Sequence, residues 1–250
     1  MGTRRIKFDL LIHDLKTPLA VIEAGITSLI ERWEKYGPLT EKQRKVLKRA
    51  LRNTKITQTL VNDAMEIGRS SEGIIHTHRF SLSDLIEQSL VELFDLTDYK
   101  TAESVKECSN LTALKETLSE RNIMLDIDEN LWCQELHLDE GKIRQILRNL
   151  LNNALKYRKT MIEIKIESND KSLFLSVRDD GDGIPAEYHQ KIFECYFQMS
   201  SEQTHCVRGH GLGLAGVMVL LEDMGGRLSL ESDLGKGAKF LVEVPLSRAT

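Results

Sequence analysis

The stretch HDLKTPL (residues 13–19) lies within apolar residues at helical spacing, and it determines how the first third of the chain is interpreted. Residues four apart share one helix face, so His13 and Thr17 should point the same way. Pro18 inside a helix removes a hydrogen bond and costs about 3 kcal/mol, so a bend must be tolerated there. A lone helical histidine is usually a surface or core residue. However, a neutral imidazole beside the Asp14 carboxylate, which can orient the ring, is a candidate nucleophile.

Two long amphipathic helices are expected around this stretch. Apolar residues recur at helical spacing over 4–36, and again from after Thr40 to about Gly68. Gly37 and Pro38 between them are typical of a helix stop followed by a turn. Two such helices cannot cover both apolar stripes alone, so we expect a second copy of the chain and a dimeric four-helix bundle.

Composition excludes several function classes. The net charge is −4, with 41% hydrophobic and 29% charged residues, which indicates a soluble globular chain with no nucleic-acid partner. The four cysteines show no C-x-x-C pairing, which favours a reduced cytosolic compartment. No apolar run approaches the ~18 residues of a membrane span. We therefore expect a cytoplasmic location and no membrane contact within this chain.

Beyond a polar break at 70–73, the pattern changes to alternating strands and helices, which indicates a second, α/β domain. The segment 95–121 is polar and helix-prone, and we interpret it as a surface insertion, with a helix over 109–120 and no assigned function. The predicted division is a helical hairpin at 1–70, a linker at 71–79 and a catalytic domain at 80–250. Strands are predicted over 123–128, 132–138, 161–168, 172–178, 227–232 and 238–245, with a turn at 169–171. A short strand edge followed by an amphipathic helix is predicted over 80–94, a helix capped by Asp139 over 142–157, and a last helix that ends at about 224 before Gly225 and Gly226.

Polar side chains interrupt the apolar pattern at two places in this domain. The helix over 142–157 carries Asn149 and Asn153 one turn apart, and buried amides are costly unless partnered. The sequence DDGDGIP (residues 179–185) begins about 30 residues after Asn149 and directly follows a predicted strand. A D-x-G-x-G pattern alone can be only a tight turn. In this order and spacing, the two motifs indicate a ligand site.

Taken in order, the motifs resemble the catalytic core of sensor histidine kinases over almost the whole chain. HDLKTPL resembles the phosphoacceptor box, NLLNNALKY (149–157) the N-box, and DDGDGIP the G1 box. IFECYF (192–197) resembles the F-box, and GHGLGL (209–214) resembles the G2 box. The resemblance implies a helical hairpin followed by an α/β sandwich of the Bergerat type, a mixed sheet under three helices.

The resemblance also implies roles for individual residues. His13 would accept a phosphoryl group with Asp14 orienting its ring, and Thr17 would orient a water that attacks the phosphorylated partner, giving phosphatase activity as well. Asn153 would bind Mg²⁺ through its amide oxygen, and Lys156 would face phosphate. Asp179 would bind the adenine amino group.

The remaining expected site residues surround the nucleotide. Phe193 and Phe197 would anchor a lid over 199–208, although they can equally be core aromatics. His210 stands where the family usually has Thr or Ser, which leaves its phosphate contact open. The expected ATP-binding residues are Asn149, Asn153, Lys156, Tyr157, Asp179, Gly181, Gly183, Ile184, Gly209, His210, Gly211, Leu212, Gly213 and Leu214.

The function implied is ATP- and Mg²⁺-dependent phosphorylation of His13, followed by transfer to an aspartate of a response-regulator receiver domain. Family members normally carry a sensor or a membrane span upstream, so we expect a portion of a larger sensor. One alternative is an ATPase of the gyrase, Hsp90 or MutL kind; these carry a glutamate base where this chain has Asn149, and a neutral amide cannot act as that base. The other alternative is a nucleotide-binding signalling scaffold without turnover.

Overall fold

The computed structural model describes residues 3–70, 75–95, 98–194 and 213–246; the side chains of residues 3–13, 33, 56, 59–60 and 62–70 lie outside that description. The chain divides into two compact units, residues 1–72 and 73–250. Each unit is described by itself below.

The first unit is a helical hairpin. Helix α1 (Thr3–Glu31) contains Pro18 without ending there, and the short helix α2 (Trp33–Tyr36) follows it. Gly37, with φ +84°, ends the first arm. Helix α3 (Glu41–Ser70) packs against α1. The helix–turn–helix is as predicted, although the first arm is two helices rather than one.

The sequence around Thr40 explains where the second arm begins. The Thr40 hydroxyl accepts a hydrogen bond from Gln43 N at 3.3 Å, while Thr40 N donates to Gln43 Oε1 at 2.9 Å. This reciprocal pair is a capping box, which satisfies two backbone donors that a helix start otherwise leaves unpaired. The interior of the hairpin is thin: among its described side chains, only Thr54 is buried.

The second unit contains a five-stranded mixed sheet in the order β2-β4-β5-β7-β6 and a separate antiparallel pair, β1 and β3. Only β2 and β4 run parallel; every other neighbouring pair in the large sheet is antiparallel. The strands are β1 (His78–Ser81), β2 (Ile123–Ile127), β3 (Glu135–Leu138), β4 (Ile162–Ser168), β5 (Ser172–Asp179), β6 (Arg227–Ser232) and β7 (Ala238–Pro245).

Helices cover one face of this sheet. Helix α8 packs against β5, α9 against β6, and α4 against α8. The helices are α4 (Leu82–Asp95), α5 (Tyr99–Lys106), α6 (Leu111–Ser119), α7 (Glu129–Trp132), α8 (Glu140–Tyr157) and α9 (Gly213–Asp223), with 3₁₀ turns at Ala186–Tyr188 and Lys191–Phe193. The α/β sandwich is confirmed, but α6 also packs on β2, so the helical layer holds more than the three helices expected.

The segment 95–121 corrects one sequence-based expectation. We expected a surface insertion, but Val105, Leu114 and Leu118 are fully buried within the main core. The helix predicted over 109–120 is confirmed as α6. Leu111, Leu114 and Leu118 recur at spacings of three and four, so α6 presents one apolar stripe to the sheet. The segment is therefore part of the domain core.

A second correction concerns the strand predicted from residue 132. Residues 129–132 form α7 instead, because Asp128 caps a helix there by accepting a hydrogen bond from Asn130 N at 2.8 Å. The strand begins at Glu135 and pairs with β1. The predicted alternation of buried and exposed residues holds for the shorter strand.

Candidate nucleotide-binding site

Helix α8 carries the first polar motif, and its start is fixed by Asp139, as predicted. Asp139 Oδ1 accepts a hydrogen bond from Lys142 N at 3.1 Å, and Oδ2 accepts one from His76 N at 2.9 Å. The carboxylate thus caps the helix and also binds the backbone of the segment that leads into β1. The apolar face of α8 is then fixed in the core, with Ile143 and Leu150 at 0% exposure.

The opposite side of α8 brings the predicted polar residues together. Asn149 is half-buried and donates a hydrogen bond from Nδ2 to the carbonyl oxygen of Gly213 at 3.2 Å. This bond satisfies one donor of the partly buried amide. Gly213 is the first residue of α9, so Asn149 connects the N-box helix to the helix that follows the G2 box. Asn153 lies one turn further along and is also half-buried.

Lys156 and Tyr157 lie at the C-terminal end of α8. The Lys156 Nζ lies 4.5 Å from the centroid of the Tyr157 ring, which is a cation–π distance. A cation in the last turn also interacts favourably with the helix dipole. The pair therefore places positive charge at the end of the N-box helix, beside the loop that follows β5.

Asp179 is the last residue of β5 and is 5% exposed. Burial raises the pKa of its carboxyl group, against hydrogen bonds from the backbone of Gly181 and Ala238 that favour the charged form. Its Oδ1 accepts the Gly181 N–H at 2.9 Å. The carboxylate is therefore held in one orientation where the strand meets the glycine-containing loop.

Two glycines of that loop have no room for a side chain. A Cβ on Gly181 would lie 2.4 Å from the carbonyl oxygen of Tyr157. Gly183 has φ +71°, and a Cβ there would lie 1.9 Å from the carbonyl oxygen of Asp233 in the β6–β7 turn. The loop is thus wedged between the end of α8 and a turn about 50 residues away in sequence, which explains why both positions require glycine.

Ile184 forms a further contact between the glycine loop and the β6–β7 region. Its backbone N–H donates to Ser232 Oγ at 2.8 Å, and Ser232 Oγ in turn donates to the Gly237 carbonyl oxygen at 2.7 Å. The Ile184 side chain packs against the core. Ser232 and Gly237 were not singled out from the sequence, because nothing in a serine or a turn glycine identifies a partner so far along the chain.

Asp180 is a further residue that sequence reasoning missed. Its carboxylate accepts hydrogen bonds from Lys159 N at 2.9 Å, Thr160 N at 3.0 Å and the Thr160 hydroxyl. Burial acts to raise the pKa of Asp180, but these hydrogen bonds outweigh it and hold that pKa well below its usual range. Asp180 therefore clamps the glycine loop onto the turn that leaves α8. An aspartate that opens a turn was the only sequence signal.

The F-box and G2 box are described in part. Phe193 is half-buried and packs against the core, so the alternative of a core aromatic describes its surroundings. Leu214, on the first turn of α9, also packs there. Phe197, the lid segment 199–208, Gly209, His210, Gly211 and Leu212 lie outside the described residues. Their roles stay predictions.

The phosphoacceptor box lies on α1 of the hairpin. The backbone of His13 is helical, and its side chain is outside the described residues. Asp14 and Thr17 are exposed on the same helix. Exposure is what an acceptor that meets a second protein or domain requires, but it assigns no role by itself.

Clusters of metal-ligating side chains and membrane-spanning helices are both absent from the described part of the chain. It contains no group of three or more His, Cys, Asp or Glu side chains placed to hold a metal ion. A site made of a single amide is compatible with Mg²⁺, which usually keeps several waters and binds substrate phosphates. No helix in the same part is long and apolar enough to cross a membrane.

Two family matches decide what kind of protein this is. Residues 10–73 match the family described as "His Kinase A (phospho-acceptor) domain", and residues 138–248 match "Histidine kinase-, DNA gyrase B-, and HSP90-like ATPase". The chain belongs to the sensor histidine kinases. Its second unit is therefore an ATP-binding domain of that family.

Individual relatives agree with this assignment of the histidine kinase core. This chain is 31% identical over 238 residues to the circadian input-output histidine kinase CikA of Synechococcus elongatus, and the match covers 93% of this chain and 29% of CikA. It is 29% identical to the sensor histidine kinase YkoH of Bacillus subtilis, covering 92% of this chain and 45% of YkoH. The chain thus spans less than half the length of these curated relatives.

Solved structures share the fold. Full-length ShkA in complex with AMPPNP aligns with a TM-score of 0.67 at 25% identity, covering 98% of this chain and 46% of ShkA. The Acinetobacter baumannii histidine kinase AdeS aligns with a TM-score of 0.57 at 18% identity, covering 94% of this chain and 98% of that chain. The second comparison shows the fold alone.

Proposed function

We propose that this chain is the catalytic core of a protein-histidine kinase that phosphorylates His13 from ATP and passes the phosphoryl group to an aspartate of a response-regulator receiver domain. One observation carries the proposal: a phosphoacceptor hairpin and an ATP-binding domain of the same family occur in one chain. The proposed division is a hairpin at 1–70, a linker at 71–79 and a catalytic domain at 80–250.

Asp179 would recognise the adenine end of the nucleotide. A buried carboxylate fixed by the Gly181 N–H offers an acceptor to an exocyclic amino group. Gly181 and Gly183 leave the loop without side chains, so backbone can approach the ring. Asp180 keeps that loop on the end of α8. The arrangement fits a flat ligand with a hydrogen-bond donor at one edge.

Asn153 and Lys156 would serve the phosphate end. The half-buried Asn153 amide suits a hard cation such as Mg²⁺ as one oxygen ligand. Lys156 adds positive charge, and the residues 209–214 that lead into α9 would offer backbone N–H groups. Bound ATP supplies the phosphoryl group, and Mg²⁺ neutralises charge on its phosphates. Positioning and charge neutralisation are the main catalytic terms in phosphoryl transfer.

His13 would accept the phosphoryl group, with Asp14 holding the imidazole in the tautomer that leaves one nitrogen free to attack. Thr17, exposed one turn later, would orient a water toward the phosphorylated regulator, which gives the protein a phosphatase activity as well. The hairpin would form a homodimer through its exposed apolar side chains, so that four helices bury what two leave uncovered.

The ATPase alternative is disfavoured by Asn149. Its amide donates to the Gly213 carbonyl oxygen, and a neutral amide cannot remove a proton from water. The chain therefore has no base at the position where the related ATPases carry one. The scaffold alternative differs from the kinase in turnover and not in geometry, so the phosphate-transfer experiment below distinguishes the two.

The test is transfer of γ-labelled phosphate from Mg·ATP to the purified protein and to His13→Gln. We expect an acid-labile, alkali-stable label on the wild type and none on the variant, together with unchanged binding of a fluorescent ATP analogue. Nucleotide binding with no label on the wild type would favour the scaffold. Release of free phosphate without labelled protein would favour the ATPase.

A further inference from the structure

Lys142 and Asp223 form an ion pair between α8 and α9. The Lys142 Nζ lies 2.6 Å from the Asp223 Oδ2, and the two side chains are only 12% and 11% exposed. Charges this far from solvent are costly unless they are paired, and removing one partner leaves the other uncompensated. A pair in this position therefore constrains how the two helices meet.

The placement of each charge is unfavourable for its own helix. Lys142 is a cation in the first turn of α8, and Asp223 is an anion at the last residue of α9. Helix dipoles favour the opposite arrangement, with anions near the N-terminus and cations near the C-terminus. Neither residue helps its own helix, so the favourable interaction arises only when α8 and α9 are in contact.

A second contact joins the first residue of α9 to the middle of α8. Asn149 Nδ2 donates to the Gly213 carbonyl oxygen at 3.2 Å. Along α8 the two joints are about 10 Å apart, and along α9 they are about 15 Å apart, at about 1.5 Å per residue. The two contacts lie near opposite ends of α9, so together they limit both the translation and the rotation of α9 against α8. Because the first turn of α8 meets the last residue of α9, the two helices run antiparallel.

We propose that the Lys142–Asp223 pair sets the axial position of α9 on α8 and thereby positions the first turn of α9, beginning at Gly213, for contact with the nucleotide phosphates. The pair is a positioning device, since neither residue lies among those expected to touch the nucleotide. The effect on nucleotide affinity rests on the function proposed above. The effect on the position of α9 does not, and it is measured without nucleotide.

Four variants test the proposal. Lys142→Met breaks the pair, and Lys142→Met with Asp223→Leu removes both charges, which avoids an uncompensated buried charge. Lys142→Arg retains the pair. The control is Lys239→Met, which breaks the more exposed pair between β7 and β6, with Lys239 Nζ 3.2 Å from Glu231 Oε2 and side chains 34% and 67% exposed.

The first measurement is hydrogen–deuterium exchange over residues 213–218 in the nucleotide-free, full-length chain, beside the melting temperature. We expect exchange there to be about tenfold faster in the double variant, with β4 and β5 unchanged and the melting temperature close to that of the wild type. Lys142→Arg and Lys239→Met should match the wild type. Wild-type exchange over 213–218 in the double variant would overturn the positioning role.

The second measurement is the Kd of a fluorescent ATP analogue, with the KM for ATP and kcat where phosphorylation is observed. We expect the Kd and KM to rise about tenfold in the double variant, the size of a lost coupling between contacting residues, and to recover in Lys142→Arg. A variant that is only less stable would lose active fraction at constant KM, and that result would reduce the pair to a structural contact. A wild type that binds no nucleotide would refute the proposed function, while the exchange result would still decide the position of α9.

Discussion

In the helical hairpin Val21, Ile22 and Val46 are 66%, 47% and 55% exposed, whereas in α8 of the second unit Ile143 and Ile146 are completely buried. Both regions carry apolar stripes at helical spacing, but among the side chains that the structure describes, those of the α8 stripe are covered within its own unit and those of the hairpin are largely not. Burying a Val or Ile side chain fully contributes about 1.5–3 kcal/mol. The second unit therefore carries its own hydrophobic core, whereas the hairpin leaves apolar side chains exposed that the proposed dimer would cover.

The largest loss of stability is expected from a substitution in the hydrophobic core of the second unit. Leu118→Ala in α6 removes a side chain that is completely buried and should cost about 2–5 kcal/mol of unfolding free energy. Thr112→Ala, on the exposed side of the same helix, should cost less than about 0.5 kcal/mol. Urea denaturation followed by circular dichroism measures both. If both variants lost little unfolding free energy, the segment 95–121 would instead be a surface insertion.

The exposed apolar face of the hairpin should show the next largest effect. Val46→Ala removes apolar area that is exposed in one copy and covered in the proposed dimer. We expect the dimer to weaken by about 2 kcal/mol, about thirtyfold in Kd, because both copies lose the contact. Sedimentation equilibrium over a concentration series measures this, with Leu118→Ala expected to leave the dimer Kd unchanged. An unaltered Kd in Val46→Ala would mean that this face is not the dimer interface.

A smaller effect is expected at the clamp on the nucleotide loop. Asp180→Ala should cost about 1–2 kcal/mol, since its hydrogen bonds to the turn after α8 resemble those of a helix cap. The folded-state pKa of Asp180 lies below its unfolded value of about 3.9. Its contribution is therefore complete above about pH 5 and is lost as the pH falls through the folded-state pKa.

Unfolding free energies of the wild type and Asp180→Ala between pH 7 and pH 2 check this prediction. The difference between the two proteins should shrink below about pH 4. Asp170→Ala, an exposed position in the β4–β5 turn, is the matched control and should show no such convergence. A constant difference across the whole range would exclude the ionised Asp180 as the clamp.

The smallest effect on stability should come from the neighbouring Asp179. Burial raises its pKa, so its charged form destabilises the fold, and this loss of stability develops as the pH rises from about 3.9 through the folded-state pKa. Asp179→Asn removes that charge and should be as stable as the wild type at pH 7, or more stable by less than about 1 kcal/mol. Binding of a fluorescent ATP analogue should nevertheless weaken about tenfold or more. A stability loss comparable to that of Asp180→Ala would show that the Asp179 charge is structural.

Much of the fold follows from local patterns. The helix start after Thr40, the Asp139 cap, the β4–β5 turn at Asn169 and the glycine stop before β6 are all as predicted from the sequence. Each of these depends on residues within four positions of one another, so local chemistry is sufficient to predict it. The order of the boxes and the resemblance that they carry were equally local observations.

Three of the features that the sequence did not predict involve partners distant in sequence. Asp180 contacts Thr160 twenty residues earlier, the loop at Gly183 fits against Asp233, and Lys142 meets Asp223. The polar composition of 95–121 favours a surface location, whereas the spacing of its three leucines at 111, 114 and 118 indicates the buried stripe that the structure shows. A pattern along the chain reports which face of an element is apolar, but it does not report what that face meets.

The sequence by itself determined the two units, the type and order of most elements, and the family whose motifs the chain carries, because periodicity and caps act within one or two turns. Only the tertiary structure shows that α5 and α6 belong to the core, that adjacent Asp179 and Asp180 have oppositely shifted pKa values, and that α9 is joined to α8 near both ends of α9. The physical reason is that burial, pKa and ion pairing depend on the distance between atoms in space, which sequence separation does not fix.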